Sequence, residues 1–420
     1  MKPFVALFAI CFSCLGSYSA EKKETASAPW LEKDHVEKES ARITELAGTR
    51  PAQWRVIWKE DPATRATLSW STAKKGNGHL VRYDVKSRAG NADAYAFQRA
   101  SDRDGPYADA DGEHFHHVRL TNLKPSTTYW FVLESDGARS PELRFTTAPA
   151  DDRPFAVLFG GDSRSGHFAR AQVNLLMAAL AEEDDALLAF AHGGDYVSSG
   201  RSWSQWSRWL SQHELATTAA GKVLPIVPAR GNHDGGPLYD QIFDSPGSPD
   251  RENYFLTRLS PKTSLLTLNT ETNAGGAQRT WLGKTLRAER PRVRWLLSQY
   301  HRPAWPAVKS PGSAQKFWTP LFEEFNLDLA VESDGHVLKR TVPIRNGKAD
   351  ETGVPYVGEG GLGVGQRRPD AGRWYLRPPG MTGRGHHVMR IRFTPEKMDY
   401  EAIFLDRSVP DRRTFRPRRK

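Results

Sequence analysis

Three times between Phe155 and Gly236 an apolar run stops at glycine and a ligand-type side chain follows. Phe155-Ala-Val-Leu-Phe159 leads into Gly160-Gly-Asp162, and Ala186 to Ala191 leads into Gly193-Gly-Asp195. Val223-Leu-Pro-Ile-Val227 leads into Pro228-Ala-Arg-Gly-Asn232-His233-Asp234-Gly-Gly236. Short continuous apolar runs of this kind read as strands buried on both faces. Between the first two, Ala169 to Leu180 reads as a helix; before the third, Trp203, Trp206 and Trp209 recur at helical spacing, which we read as core. Strand-helix-strand connections make a parallel sheet with Asp162, Asp195 and Asn232 on one edge, where open α/β sheets hold their ligands. Taken alone, Gly-Asn-His-Asp is equally well read as a turn with a solvated histidine; the two preceding strand ends argue otherwise.

The pattern continues. Arg294-Trp-Leu-Leu-Ser-Gln-Tyr300 ends at His301-Arg-Pro, and Leu327-Asp-Leu-Ala-Val331 ends at Glu332-Ser-Asp334-Gly-His336. Five strand ends in order each offer a metal-ligand type, and convergent carboxylates with an amide suit hard cations. Pro355 to Gly365 reads as a strand ending in a glycine loop; it lacks the following helix that a dinucleotide motif requires. His387 to Phe393 and Met398 to Phe404 read as a closing hairpin, with the His386-His387 pair structural.

This order of residues resembles the calcineurin-like metallophosphoesterases, in the arm that includes purple acid phosphatases, whose pattern runs G-D-x-x, G-D, G-N-H-[DE], a lone His, then G-H-x-H. The resemblance covers residues 155 to about 405, with its motifs from Gly161 to His336. It implies an α/β/β/α sandwich with two divalent or trivalent metal ions (Fe, Zn or Mn) at its edge. Asp195 would bridge them, Asp162 and His336 would complete one, and Asn232, His301 and Asp334 the other. Two ions about 3.5–4 Å apart hold a bridging hydroxide and clamp the entering and leaving oxygens of an in-line displacement, so the implied reaction is hydrolysis of a phosphate ester. His233 is then placed to stabilise the transition state or protonate the leaving oxygen. Arg164 is placed to pair with phosphate, a surface ion pair being an equally good reading.

The chain departs from the pattern twice. Ser198 stands where purple acid phosphatases carry a tyrosine ligand, and Tyr196, two residues earlier, should not reach the same metal. Gly335-His336-Val337-Leu338 lacks the second histidine of G-H-x-H. One register puts Leu338 at a ligand position; the other slides by two and puts Asp334 and His336 there. We favour the second, because it fills every place with a competent ligand.

Ahead of this domain, short alternating runs from Trp54 to Val85 read as a β-sandwich. Leu123-Lys-Pro-Ser-Thr-Thr-Tyr129 has the spacing of a tyrosine corner, and Phe145 to Pro149 looks like the closing strand, so the module resembles a fibronectin type III domain. His114, His116 and His117 sit side by side, so alternation points them to opposite faces, and we read a polar edge. The expected fold class is multidomain, α+β with α/β: a sandwich at 51–149, an α/β/β/α metallophosphoesterase domain at 150–405, and a basic tail at 406–420. Residues 21–50, charged and poor in aromatics, read as a linker with one helical turn or two.

Residues 1–20 read as a secretory signal, with Lys2 before an apolar Phe4–Leu15 and small Ser17 and Ser19 before the cleavage point. Both cysteines, Cys11 and Cys14, fall inside it, which leaves the mature chain without disulfide or thiolate ligand. No later stretch approaches the roughly 18 apolar residues that span a bilayer. The expected location is therefore secreted or periplasmic. Of the formal charge of +10, the tail carries +5, from seven basic and two acidic residues; it reads as a solvated tail near anionic surfaces, with no specific nucleic-acid partner. Two other readings stand beside the phosphoesterase: a weakened metal- or phosphate-binding protein on the same scaffold, and a glycan- or surface-binding role for the sandwich.

Overall fold

The computed structural model describes Met1 and residues 27–245 and 252–418. The expected signal segment therefore lies outside the described residues, Met1 apart.

The three apolar runs form neighbouring parallel strands, Phe155–Gly160, Leu187–His192 and Ile226–Pro228. The hairpin His387–Phe393 and Met398–Phe404 closes one flank, pairing antiparallel with Phe155–Gly160. A second sheet holds Phe255–Ser260, Thr263–Thr267, Trp295–Gln299, Leu329–Glu332, Tyr356–Gly358, Leu338–Arg340 and Met381–Gly383, in that order. Alternation sorts each strand's side chains between two cores. Val157, Ala189, Val227, Leu265, Leu297 and Leu329 meet between the sheets. Ala156, Leu158, Phe190 and Ile226 face outward onto the helices His167–Glu183 and Trp203–His213, whose Trp203, Trp206 and Trp209 are buried there. Leu266, Leu296, Ala330 and Tyr356 face the opposite helical layer with Leu282, Leu286 and Phe322. The result is the expected α/β/β/α sandwich.

The N-terminal module is a β-sandwich in which the Tyr129 hydroxyl accepts a hydrogen bond from the Lys124 amide at 2.8 Å, closing the tyrosine corner. It is not separate from the sheet that follows. Its first strand, Ala52–Ile57, runs parallel to Ile226–Pro228, with Ile57 in register with Ile226. One ten-stranded sheet thus runs from the hairpin and the three parallel strands into the sandwich.

Three readings of the sequence are corrected. Residues 27–50 form the short helical turns expected, at Pro29–Leu31 and Lys33–Ser40, but are packed rather than a free linker, with Trp30 and Val36 buried. The Trp30 indole donates to Leu405 O at 2.7 Å and lies under the Arg407 guanidinium, so one aromatic in a charged stretch suffices to seat it. The basic tail is not free: Asp411–Phe415 adds an edge strand to Met398–Phe404, and Asp411 takes a bidentate pair from Arg340. His116 and His117 are not on a polar edge, because their strand lies between Ala66–Thr72 and Arg103–Pro106 and both side chains are fully buried.

Candidate metal centre

Asp162, Asp195, Asp334 and His336 share a backbone feature that no apolar pattern reveals: φ is 61°, 58°, 70° and 60°. Side-chain-bearing residues adopt this left-handed region at a cost that surrounding structure must hold in place, and such residues cluster at functional sites. Each is where a strand has just ended and the chain turns sharply across the sheet edge. Glycines make room. A Cβ on Gly360 would sit 1.9 Å from Asp162 Oδ2, and one on Gly231 would sit 2.3 Å from Asp195 Oδ1.

The turns bring one ligand atom each of Asp162, Asp195, His301 and Asp334 within 4.8 Å of one another, all four residues buried. His301 Nε2 lies 3.2 Å from Asp195 Oδ1 and 3.6 Å from Asp334 Oδ1, with Asn232 Oδ1 also at 3.2 Å. Its Nδ1 is 2.9 Å from the Gly193 carbonyl, which can only accept, so Nδ1 carries a proton and Nε2 is the atom turned to the cluster. His336 repeats the arrangement, with Nδ1 on Gly365 O and Nε2 3.3 Å from Asp162 Oδ1. The Asp334 amide donates to Asp162 Oδ2 at 2.7 Å, so the fifth strand end closes directly onto the first. Leu338 lies in the apolar layer between the sheets, paired with Gly383.

The electrostatics are dominated by this crowding. Burial alone would lower the pKa of His301, but the charge of Asp195 and its hydrogen bond, helped by Asp162 and Asp334, push it up to about 10. Burial would raise Asp195, yet His301 and the His233 amide hold it well below the usual carboxylate range. Such a set attracts positive charge strongly. Asp162 Oδ1 is buried with no hydrogen-bond partner, an unmet acceptor that a cation would satisfy. Three carboxylates, two imidazoles and an amide fit ions of the Fe, Zn or Mn kind.

The two residues expected to act on substrate flank the cluster. Arg164 donates from Nε to Asp195 Oδ2 at 3.2 Å, and its Nη2 is 3.4 Å from His336 Nε2. The His233 amide donates to Asp195 Oδ1, and its Nδ1 lies 2.8 Å from Ser198 O. Nε2 of His233, 3.9 Å from Asp195 Oδ2, is therefore the atom free to exchange protons, on a side chain about one-third exposed. Tyr196 is fully buried in the helix-side core, stacked on His192 at 3.8 Å.

Sequence reasoning missed the braces. Asp234 is fully buried and accepts from the Asp195, Tyr196 and Gly231 amides at 2.8–2.9 Å, tying the second and third strand ends together. Burial and the Asp195 charge push its pKa up to about 8 despite those bonds. Behind the 332–336 turn, fully buried Lys339 bridges Glu332 and Glu359. Glu332 also accepts from Tyr300 OH and the Ala304 amide, both at 2.6 Å. The aspartate of G-N-H-D was the available signal for the first brace. Glu332, ending the otherwise apolar strand Leu329–Glu332, was the signal for the second. A further lysine, Lys309, places its ammonium 2.5 Å from Asp334 Oδ1.

Comparison with known proteins agrees with this fold. Residues 51–147 match the family profile described as purple acid phosphatase, N-terminal domain, and residues 161–338 match that of calcineurin-like phosphoesterase. An uncharacterized protein of Mycobacterium tuberculosis is 25% identical over 285 residues, covering 57% of this chain and 53% of the relative. Purple acid phosphatase 21 of Arabidopsis thaliana is 26% identical over 307 residues, covering 67% and 64%. The chain thus spans less than two thirds of either curated relative. Among solved structures, a purple acid phosphatase from yellow lupin seeds superposes with a TM-score of 0.70 at 16% identity, covering 88% of this chain and 74% of the other. PhoD superposes with 0.64 at 13% identity, covering 88% and 89%. In family terms, residues 161–338 are a calcineurin-like phosphoesterase domain, set behind a purple acid phosphatase N-terminal domain.

Proposed function

We propose that the chain is an exported hydrolase of phosphate esters working at a two-metal site. The observation that carries this reading is the convergence of Asp162, Asp195, His301 and Asp334 within 4.8 Å at one sheet edge. Asp195, central to the contacts, would be shared between the ions. Asp162 and His336 would hold one, and Asn232, His301 and Asp334 the other. When bound, the ions would supply Lewis acidity toward the phosphoryl oxygens and an activated water.

The remaining work falls to the chain's own side chains. Arg164 presents a planar fork suited to two phosphoryl oxygens, and in doing so gives up its bond to Asp195. His233, its Nδ1 proton fixed on Ser198 O, offers Nε2 to the leaving oxygen as a proton donor when charged. Asp234 and the Lys339 bridge hold the turns so that neither ligand set drifts, the positioning on which in-line displacement depends.

Lys309 on Asp334 and Arg164 on Asp195 favour a second reading, in which these side chains compete with the ions and the protein binds phosphate without turnover. Metal analysis of the purified protein, with assays on p-nitrophenyl phosphate and bis(p-nitrophenyl) phosphate, separates the two. Two ions per chain with turnover of either compound supports the hydrolase; phosphate binding without turnover and with fewer than two ions per chain supports the second reading. Export rests on residues 1–20, and N-terminal sequencing of the mature chain tests it.

A further inference from the structure

The mouth of the metal centre carries more positive charge than one phosphate needs. Lys309 is the first source; its side chain is 38% exposed and its only carboxylate partner among the described residues is Asp334. Arg367 is the second. Its guanidinium donates to Asp334 O at 3.0 Å and its amide to His336 O, so it lies against the last ligand turn, with no carboxylate partner among the described residues. Arg368, next in the chain, is exposed and has no partner among the described residues. The segments bearing these residues are fixed to one another: the Asp370 amide donates to Ala307 O, Arg373 donates to Val308 O, and the Ala307 amide donates to Glu359. The acids at this rim are already taken. Glu271 pairs with Arg302, and Asp370 with Arg373.

Resting on the phosphoesterase reading, the charge count runs as follows. Three ligand carboxylates against two divalent ions leave one positive charge, before any side chain is added. Arg164 lies deep enough, at 17% exposed, to serve the phosphate being cleaved. Lys309, Arg367 and Arg368 then remain, on the side of the last ligand turn, for something else that is anionic. We propose that these three residues form a second anion subsite, and that the substrate is an ester carrying a further phosphate group beside the one removed. Guanidinium and ammonium groups on a rim bind phosphate oxygens by charge-assisted hydrogen bonds, and two phosphates held at once position the scissile one.

The test compares phenyl phosphate with 1,3-phenylene bisphosphate on the metal-loaded full chain and on Lys309→Gln and Arg368→Gln. Two equivalent phosphates alone raise kcat/KM twofold; the subsite raises it about tenfold or more, the worth of one charge-assisted hydrogen bond. That ratio should fall toward two in both variants. A ratio near two in the parent protein, or one that neither variant changes, overturns the subsite while leaving the hydrolase intact. If neither monoester is turned over, bis(p-nitrophenyl) phosphate decides the hydrolase reading, and calorimetric titration with inorganic phosphate and pyrophosphate decides the subsite separately. Pyrophosphate bound about tenfold tighter, with the advantage lost in Arg368→Gln, sustains it; equal binding of the two anions overturns it.

Discussion

Two pairs of buried histidines, His116 and His117 in the sandwich and His301 and His336 at the sheet edge, have similar burial and opposite surroundings. Both sandwich side chains are fully inaccessible. His117 donates from Nε2 to Gln241 O, and its Nδ1 lies 2.6 Å from the Ser69 hydroxyl. Burial pushes its pKa down to about 3, and that of His116 down to about 4 even with Asp104 beside it. His301 is just as buried, but three aspartates face it and its pKa goes the other way. Burial removes water from all of these rings; the number of carboxylates around a ring decides whether it becomes a neutral hydrogen-bonding strut, as His116 does with one, or part of a cation trap, as His301 does with three. A run of histidines in sequence is therefore weaker testimony to a metal than a lone histidine at the end of a strand whose neighbours end in aspartate.

The largest expected effect breaks the comparison outright. Asp195→Asn removes the charge that His301, Arg164 and the His233 amide all meet. Metal content, read by elemental analysis, should fall and hydrolysis should drop to background, leaving His301 in the position of His117. Retention of both metals and activity would show that Asp195 is not the shared ligand.

Next in size is His233, outside the ligand set but hydrogen-bonded through its amide to Asp195. Proton donation of this kind contributes typically ~10²–10⁴-fold. His233→Ala should keep both metals and its Tm while kcat falls about a hundredfold or more, with less loss for substrates whose leaving groups need no proton. Loss of metal in step with activity would make His233 a brace for the loop instead.

The sandwich pair supplies a smaller effect of a different kind. The unfolded chain protonates His117 below about pH 6.5, whereas the folded chain resists until about pH 3. The unfolded state therefore binds more protons in that window, and stability falls as pH falls through it. By pH 4 this amounts to on the order of 3 kcal/mol. His117→Gln, which can still reach Ser69 and Gln241, should remove that part of the acid slope in urea titrations while metal content and kcat at neutral pH stay unchanged. An unaltered slope would place the acid sensitivity elsewhere.

What the sequence disclosed follows the same division. Strand ends were legible because apolar runs of five or six residues have few alternatives, and Asp162, Asp195, Asn232, His301, Asp334 and His336 each follow one. Contacts that depend on long-range packing were not. Nothing local to Trp30 announces a seat beside Leu405, and nothing in Ala52–Ile57 announces that it pairs with Ile226–Pro228 rather than only within the sandwich. The tail's charge read as solvation because its partners, Asp411 with Arg340 for one, are far apart in the chain. The left-handed backbone of four candidate ligands was equally hidden, since aspartate and histidine there look no different in sequence from the same residues in a strand.

The smallest expected effect on the centre tests whether the register at its last motif follows from position or from residue type. Leu338 occupies the place where the family pattern has histidine, and Leu338→His would restore the pattern on paper. In the structure that place is fully buried between the sheets, two residues beyond His336 and in register with Gly383. The candidate for the ligand position stands on the other side of Gly335: Asp334, whose amide is bonded to Asp162 and whose carboxylate faces His301. A histidine at 338 would join an apolar layer with no carboxylate ligand to meet. It should behave as a strut without partners, costing on the order of 1–3 kcal/mol for the unsatisfied polar group. Metal content and the preference among metals should stay at the parent level while Tm falls. Asp334→Ala serves as the control and should lose metal. If instead Leu338→His binds metal more tightly and Asp334→Ala keeps it, the ligand is set by the family position, and the carboxylates around His301 would not be what makes this edge a cation site.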